Sequence, residues 1–295
     1  MYVEKNDPAF RPALEKTIDF VLKSQYPVGG WPQRYPLMYD HPFQGKKDYS
    51  SFITLNDDVI PDATEFLIQC YQAMGLQGVK EPIMRAMYLM ISLQQGEPYA
   101  GWADQYTVDD LKPAHARSYE PRSVNTGTTV RLVNLMMDYY KLTADTRFLS
   151  GIPAAIRFLE SMKLPESDVK KWKSQSTNPE AILVPRFVDP DTGKPLYVHR
   201  KGSNVKNGTY YIDQNIENTI AHYNSATFVN PGELRRRYEE VKKLPVSELA
   251  KNSPLLQDHL VPLPKYYTRL RGKATEEVAR KLVKSLTKDV AGSLL

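Results

Sequence analysis

The sequence predicts a mainly α fold, an α/α toroid carrying an appended β-hairpin. Two apolar stripes with helical spacing and two matching glycine-tryptophan loops predict it. Leu14, Ile18, Val21 and Leu22 fall at i, i+4, i+7 and i+8, which puts them on one helix face, and Ile83, Met87, Met90 and Ile91 do the same. Each stripe is followed by a glutamine and a Gly-Trp loop. Gln25 precedes Gly30-Trp31-Pro32-Gln33, and Gln95 precedes Gly101-Trp102-Ala103-Asp104-Gln105, with the tryptophans 71 positions apart. A repeat of roughly 70 residues holds two helices, and such hairpins bury their apolar faces only by stacking or closing into a ring.

Taken in order, further helices are expected around Ala63 to Met74 and where Leu132, Leu135, Met136, Tyr139 and Tyr140 recur at helical spacing. After Lys163 the texture changes. Residues 165–181 are polar; Ile182 to Val188 then read as a strand, Asp189-Pro190-Asp191-Thr192-Gly193 as a turn, and Leu196 to His199 as a second strand. Helix signals return from Gly232 to Lys243. Pro254, Pro262 and Pro264 interrupt the chain before a last basic helix near Thr275 to Thr287. Residues 1–230, with the hairpin at 182–200, are thus expected as the toroid domain, and 231–295 as a helical, basic extension.

Composition excludes several classes. Hydrophobic residues make up 41% and charged residues 25% of 295. No apolar run approaches the roughly 18 to 20 residues of a membrane span. The single cysteine, Cys70, sits in an apolar helical pattern, which excludes disulfides within the chain and cysteine-rich metal sites and reads as core. The formal charge of +5 does not indicate a nucleic-acid partner. From Lys265 onward there are eight Lys/Arg and three Asp/Glu, so the whole excess lies in the tail and the body is neutral. The opening MYVEKNDPAF contains no apolar signal region.

Four polar stretches gather Arg, Asp, Asn, Gln and Trp in loops, where sites are usually built. They are GGWPQRYP (29–36), ITLNDD (53–58), GWADQYT through HARSYEP (101–121), and PRFVDPDTGKPLYVHRKGSN (185–204). In this order they resemble the motifs of pectate lyases of polysaccharide lyase family ten, and the matched stretches run from Asp7 to Tyr223. The resemblance implies an α/α toroid and an enzyme acting on polygalacturonate or a related uronic-acid polymer by β-elimination, giving a 4,5-unsaturated product. It implies Arg117 as the base that removes the C5 proton, Asp57 as a calcium-binding aspartate, and Arg186 and Arg200 as substrate-binding arginines. The same loops supply Gln33, Asn56, Gln105 and Tyr119 as substrate contacts, and Trp31 and Trp102 as platforms on which sugar rings would stack.

The chemistry suits these residue types. A proton α to a carboxylate is weakly acidic, so the site must neutralise that carboxylate and stabilise the charge that develops. Arginine's planar fork matches a carboxylate, but its high pKa holds its proton. Arg122, Arg186 and Arg200 are therefore expected to press on Arg117 as neighbouring cations.

Plainer structural roles stand beside these. Arg117 could pair with Glu120, Asp57 could cap a helix, the tryptophans could pack, and Arg186 and Arg200 could solvate a hairpin.

The chain also departs from the family's pattern. Tyr106-Thr107 stand where His-Asp is usual, and Thr128-Thr129 where Glu-Ser is usual. Fewer carboxylates weaken a site for calcium, with Asp104 and Asp58 left to supplement Asp57. An amino-terminal helix with a further acid would fall before Met1, so the toroid is expected to be incomplete, with exposed apolar faces and self-association. Two other readings are a toroid glycoside hydrolase using Asp57 with Asp104 or Glu120, and a carbohydrate-binding protein with impaired catalysis. A polymeric substrate outside the cell implies a secreted or periplasmic protein.

Overall fold

The first stripe folds as helix α2 (Arg11–Ser24), preceded by one turn, α1 (Tyr2–Lys5), and a 3-10 turn at Pro8–Phe10 whose N-terminus Asp7 caps. Proline at the start of α2 costs nothing, because the N–H it lacks has no helical partner there. Helix α3 (Val59–Met74) ends on left-handed Gly75, and α4 (Lys80–Ser92) carries the second stripe. Helix α5 (Thr126–Thr143) starts at Asn125, whose side chain accepts from the backbone N–H groups of Gly127 and Thr128. Single-turn α6 (Arg147–Ser150) leads into α7 (Ile152–Ser161), and α8 (Glu166–Lys171) follows. Helices α9 (Pro231–Lys242) and α10 (Val246–Asn252) close the described chain.

These elements belong to a computed structural model that describes residues 2–37, 48–172, 174–202, 209–220 and 224–257. The helix expected near Thr275 to Thr287, with Pro262, Pro264 and the basic tail, lies outside the described residues.

Helices α3 to α7 and α9 pack against one another in the order of the chain, α5 touching α4, α6, α7, α9 and α10. One apolar core joins them, from Ile18 and Leu67 through Met87 and Val133 to Ile156 and Leu159. The mainly α, toroid-type architecture expected from the repeat is the one observed. Cys70 lies in this core, and burial pushes its thiol up to about 11, which keeps it protonated and unreactive. Leu234, Val241, Leu249 and Leu255 belong to the same core, so residues 231–257 pack with the helices before them rather than standing apart. Among the described residues no helix is long and apolar enough to cross a membrane.

The strands are short and form rungs between loops. Strand β1 (Ile53–Thr54) pairs with β2 (Gln105–Tyr106), and β3 (Val124–Asn125) with β5 (Phe187–Val188), all antiparallel. Strand β4 (Ile182–Pro185) pairs with β8 (Ala226–Val229), and β6 (Tyr197–Lys201) with β7 (Thr209–Asp213).

The expected hairpin is present but short. The turn exists: Gly193 is left-handed at φ 69°, and Asp189 accepts from the N–H groups of Asp191 and Thr192. The strands that flank it also pair elsewhere, β5 with the earlier β3, and β4 and β6 with the later β8 and β7. Across the turn they are joined by Asp189 N–H to Lys194 carbonyl (2.9 Å), Leu196 N–H to Phe187 carbonyl (2.9 Å) and an antiparallel Val188–Pro195 bridge. A turn signal reports local geometry alone, whereas a strand's partner is decided by which edges the rest of the fold brings near.

Candidate active site

The repeat is visible in hydrogen bonds as well as in helices. Trp31 carbonyl accepts from Thr54 N–H (3.0 Å), and Trp102 carbonyl accepts from Asn125 N–H (2.8 Å). The corresponding members of the two pairs are 71 positions apart. One residue on, Leu55 N–H donates to the Asp104 carbonyl (2.8 Å) and Thr126 N–H to the Arg186 carbonyl (3.0 Å). Arg186 therefore occupies in one rung the place Asp104 occupies in the other. Glutamine straps brace the loops. Gln25 Nε2 donates to the carbonyls of Gly29 (3.0 Å) and Pro82 (2.9 Å), and Gln94 Nε2 to those of Ala100 and Gly151 (2.9 Å each). The counterpart of Gln25 is thus Gln94 and not the expected Gln95, because the second loop is longer. A Cβ on Gly101 would lie 2.5 Å from Thr129 Oγ1, so only glycine fits that approach.

Arg117 lies between two acids from different segments. Its Nη2 is 2.8 Å from Asp57 Oδ2, and its Nη1 is 3.3 Å from Glu120 Oε1. Glu120, buried, also accepts from the backbone N–H of Arg117 at 2.9 Å, so one carboxylate fixes both ends of the residue. Burial pulls the Arg117 pKa down, but the charges of Glu120 and Asp57 outweigh it and the group stands above its ordinary value. Arg117 is a protonated guanidinium in the free protein.

Asp57 and Asp58 are both left-handed, at φ 54°. Aspartate tolerates this region better than most residues, yet two in succession carry strain that surrounding bonds must hold. Neither caps α3: Asp58 stands at the N-cap with no side-chain cap bond. Asp57 instead takes Arg117 and Gln33 Nε2 (3.3 Å), both on Oδ2. Asp58 Oδ1 is 2.5 Å from Arg131 Nη1.

Asn56 and Gln105 lie buried beneath, joined Nε2 to Oδ1 at 3.4 Å. Tyr119 hydrogen-bonds Arg117 and packs against Tyr210 with ring centroids 5.5 Å apart. Tyr210 pairs directly across the strands with Arg200, so the two share a face. Arg186 stands at the start of β5, its guanidinium 5.9 Å from the Phe187 ring, and Phe187 clusters with Val198, Tyr119 and Tyr210. Among the described residues, buried Gln33 Oε1, Gln105 Oε1 and Tyr210 Oη have no hydrogen-bond partner. Such atoms are costly inside a protein, and these lie out of reach of solvent.

Several expectations are corrected. Trp31 and Trp102 are 3% and 1% exposed, so neither offers a ring face to a sugar. Their indole N–H groups donate to the carbonyls of Val21 and Met90 (2.8 Å each), in the last turns of α2 and α4. Arg122 does not press on Arg117 but clamps Asp191 in the 189–193 turn through two bonds of 2.8 and 2.9 Å. Asp104 has both oxygens engaged, Oδ2 by Asn125 Nδ2 (2.7 Å) and Oδ1 by the Thr128 hydroxyl. Tyr106, where the family has histidine, is fully buried and bonds the Leu93 carbonyl (2.8 Å). Arg131, Tyr210 and Gln94 were not singled out as site residues from the sequence. Their spacing carries no pattern, and only the fold brings them to the loops.

Comparison with known proteins agrees with this geometry. A family model described as pectic acid lyase matches residues 1–219. A family 10 polysaccharide lyase from Cellvibrio cellulosa superposes with a TM-score of 0.60 at 19% identity, covering 82% of this chain and 76% of that one. A mutant of the family 10 lyase from the same organism, in complex with trigalacturonic acid, superposes with a TM-score of 0.59 at 19% identity and the same coverage. At that identity the likeness is one of fold. No curated protein sequence matches the chain. The family model spans 219 of 295 residues, and the chain belongs to the pectic acid lyase family, a family of polysaccharide lyases.

Proposed function

We propose that the protein cleaves polygalacturonate, or a closely related uronic-acid polymer, by β-elimination, with Arg117 as the base. The observation that carries this reading is Arg117 gripped by the half-exposed Asp57 and the buried Glu120, with Gln33 on the same Asp57 oxygen. The trigalacturonic acid bound by a structural relative supports the choice of substrate.

In this reaction the C5 proton leaves to a neutral Arg117 Nη, the C5 electron pair forms the C4–C5 double bond, and the C4–O bond breaks. The departing oxygen takes a proton from solvent. Arg117 must first lose its own proton, which its two acids oppose. The half-exposed Asp57 is the acid that substrate binding can draw away; the buried Glu120 keeps the loop in place. With the Asp57 charge engaged elsewhere, the lowering effect of burial gains weight and the guanidine becomes a usable base. Arg186 and Arg200 would bind uronate carboxylates, and the Tyr119–Tyr210 pair offers the sugar the aromatic surface that the tryptophans do not.

Calcium fits only in part. Asp57 Oδ1 and Asp58 Oδ2 are the carboxylate oxygens left to it, since both oxygens of Asp104 are engaged, and calcium takes about six to eight. Among the described residues no group of three or more His, Cys, Asp or Glu is placed to hold a metal. Asp57 and Asp58 would hold a calcium ion jointly with substrate carboxylates. When bound, it would neutralise the uronate carboxylate and so acidify C5.

A hydrolase is the weaker reading, because Asp57, Glu120 and Asp104 are all engaged and no two are organised as acid and base. Incubation with polygalacturonate, with calcium and with a chelator, tests the proposal. New reducing ends accompanied by the ultraviolet absorbance of an unsaturated uronate support elimination. Reducing ends without that absorbance indicate hydrolysis, and binding without either indicates a binding protein. Such a polymer is met outside the cell, so export is part of the proposal.

A further inference from the structure

We propose that Arg131 is a positioning residue that fixes the loop presenting Asp57 to a ligand, acting through Asp58 and the backbone before α3; this rests on the function proposed above. Arg131 lies on α5, in the first turns after the Asn125 cap. Its Nη1 meets Asp58 Oδ1 at 2.5 Å, while its Nη2 donates to the Leu55 carbonyl at 3.4 Å and to Thr128 Oγ1 at 3.2 Å. One guanidinium therefore touches both sides of Asp57 in the chain, at positions 55 and 58.

The arrangement answers a physical need. Two consecutive left-handed aspartates relax unless something fixes them, and Asp58 has no cap bond to do so. On the inner side, the Asp104 carbonyl accepts from Leu55 and Asn56 N–H at 2.8 and 3.2 Å. On the outer side the fixing group is Arg131. It is itself braced, because Thr128, its i−3 neighbour, gives its hydroxyl proton to Asp104 and accepts from Arg131. An unbroken hydrogen-bonded path thus runs Asn125, Asp104, Thr128, Arg131, Asp58, and it ties the second rung of the repeat to the strained turn of the first. The guanidinium engages one oxygen of Asp58, as Arg117 engages one oxygen of Asp57. Lysine, a single-point cation, reproduces the Asp58 bond but not the forked reach to Leu55 and Thr128.

The test is a double-mutant cycle on the full chain, read by elimination kinetics and by amide hydrogen exchange. Arg131→Ala is expected to speed exchange of the Asn56 to Val59 amides about tenfold, leaving the α5 core unchanged, and to lower kcat/KM about tenfold, mainly through KM. Arg131→Lys is expected to recover part of both. In an Asp57→Asn background, Arg131→Ala is expected to change kcat/KM less than about twofold, because the residue it positions no longer acts. Unchanged local exchange, or a full tenfold loss persisting in the Asp57→Asn background, overturns the proposal. If wild-type protein forms no unsaturated product from any polyuronate, the functional reading falls, and the exchange arm still decides whether Arg131 fixes the Asp57 loop.

Discussion

At the scale of single residues, the central tension is that the proposed base is the best-paired cation in the site. Glu120 raises the Arg117 pKa, so removing its charge lowers it, and a base acts only when deprotonated. The rising alkaline limb of the kcat/KM profile is therefore expected to move to lower pH in Glu120→Gln, even where the maximal rate falls through looser positioning. A limb that stays put, or moves to higher pH, would show that Arg117 is not the titrating base. Ordered motifs pointed to Arg117, Asp57, Gln33 and Tyr119, and the structure gathers these four around one point. The tryptophans were misread for a definable reason. A Gly-Trp loop after a helix looks the same whether the indole faces a ligand or reaches back to the helix's last carbonyls, and only burial separates the two.

At the scale of elements, helices were legible where apolar residues recur over several turns, as in α2, α3, α4 and α5. Helix α7 was overlooked although Ile152, Ile156 and Leu159 are buried at helical spacing, since its ten residues follow another helical turn without a polar break. Strand pairing was not legible, because rungs of two residues have too little pattern to set a register. The joint between α4 and α6 offers a test of packing. Asp145 accepts from Tyr88 Oη (2.9 Å) and from Arg147, whose guanidinium also lies 4.6 Å from the Tyr88 ring. Hydrogen bonding from Arg147 holds the Asp145 carboxyl down at about 2. A carboxylate so depressed adds stability that is complete above its unfolded value, about 4, and is lost as pH falls through about 2. Asp145→Asn is accordingly expected to lower stability by about 1 kcal/mol at pH 7 in urea denaturation, with the difference from wild type vanishing near pH 2. A difference independent of pH would assign the effect to packing alone.

At the scale of the whole molecule, the repeat explains how the site is assembled. Equivalent loops converge at the rungs, and each contributes one kind of group: Gln33 from the first, Asp57 and Arg117 beside the β1–β2 rung, and Arg186 at the β3–β5 rung. The same fold leaves an apolar edge where α2 meets the loop after it. Phe20 and Leu37 are each 50% exposed and Tyr35 is 40% exposed, with Phe20 and Tyr35 in edge-on contact at 5.7 Å. Burying a large apolar side chain is worth about 1.5–3 kcal/mol, so self-association through this edge is expected. Sedimentation should give a mass above that of the monomer at about 100 μM, and Phe20→Asp should reduce it to the monomer; a monomeric wild type would refute this. The claim on which the rest depends is that Arg117 removes the C5 proton. Its most direct test is the rate at which Arg117→Ala forms unsaturated product from polygalacturonate. A loss of about 10³-fold or more, with the variant still folded and still binding trigalacturonate, is the expected result. Elimination at the wild-type rate would contradict it.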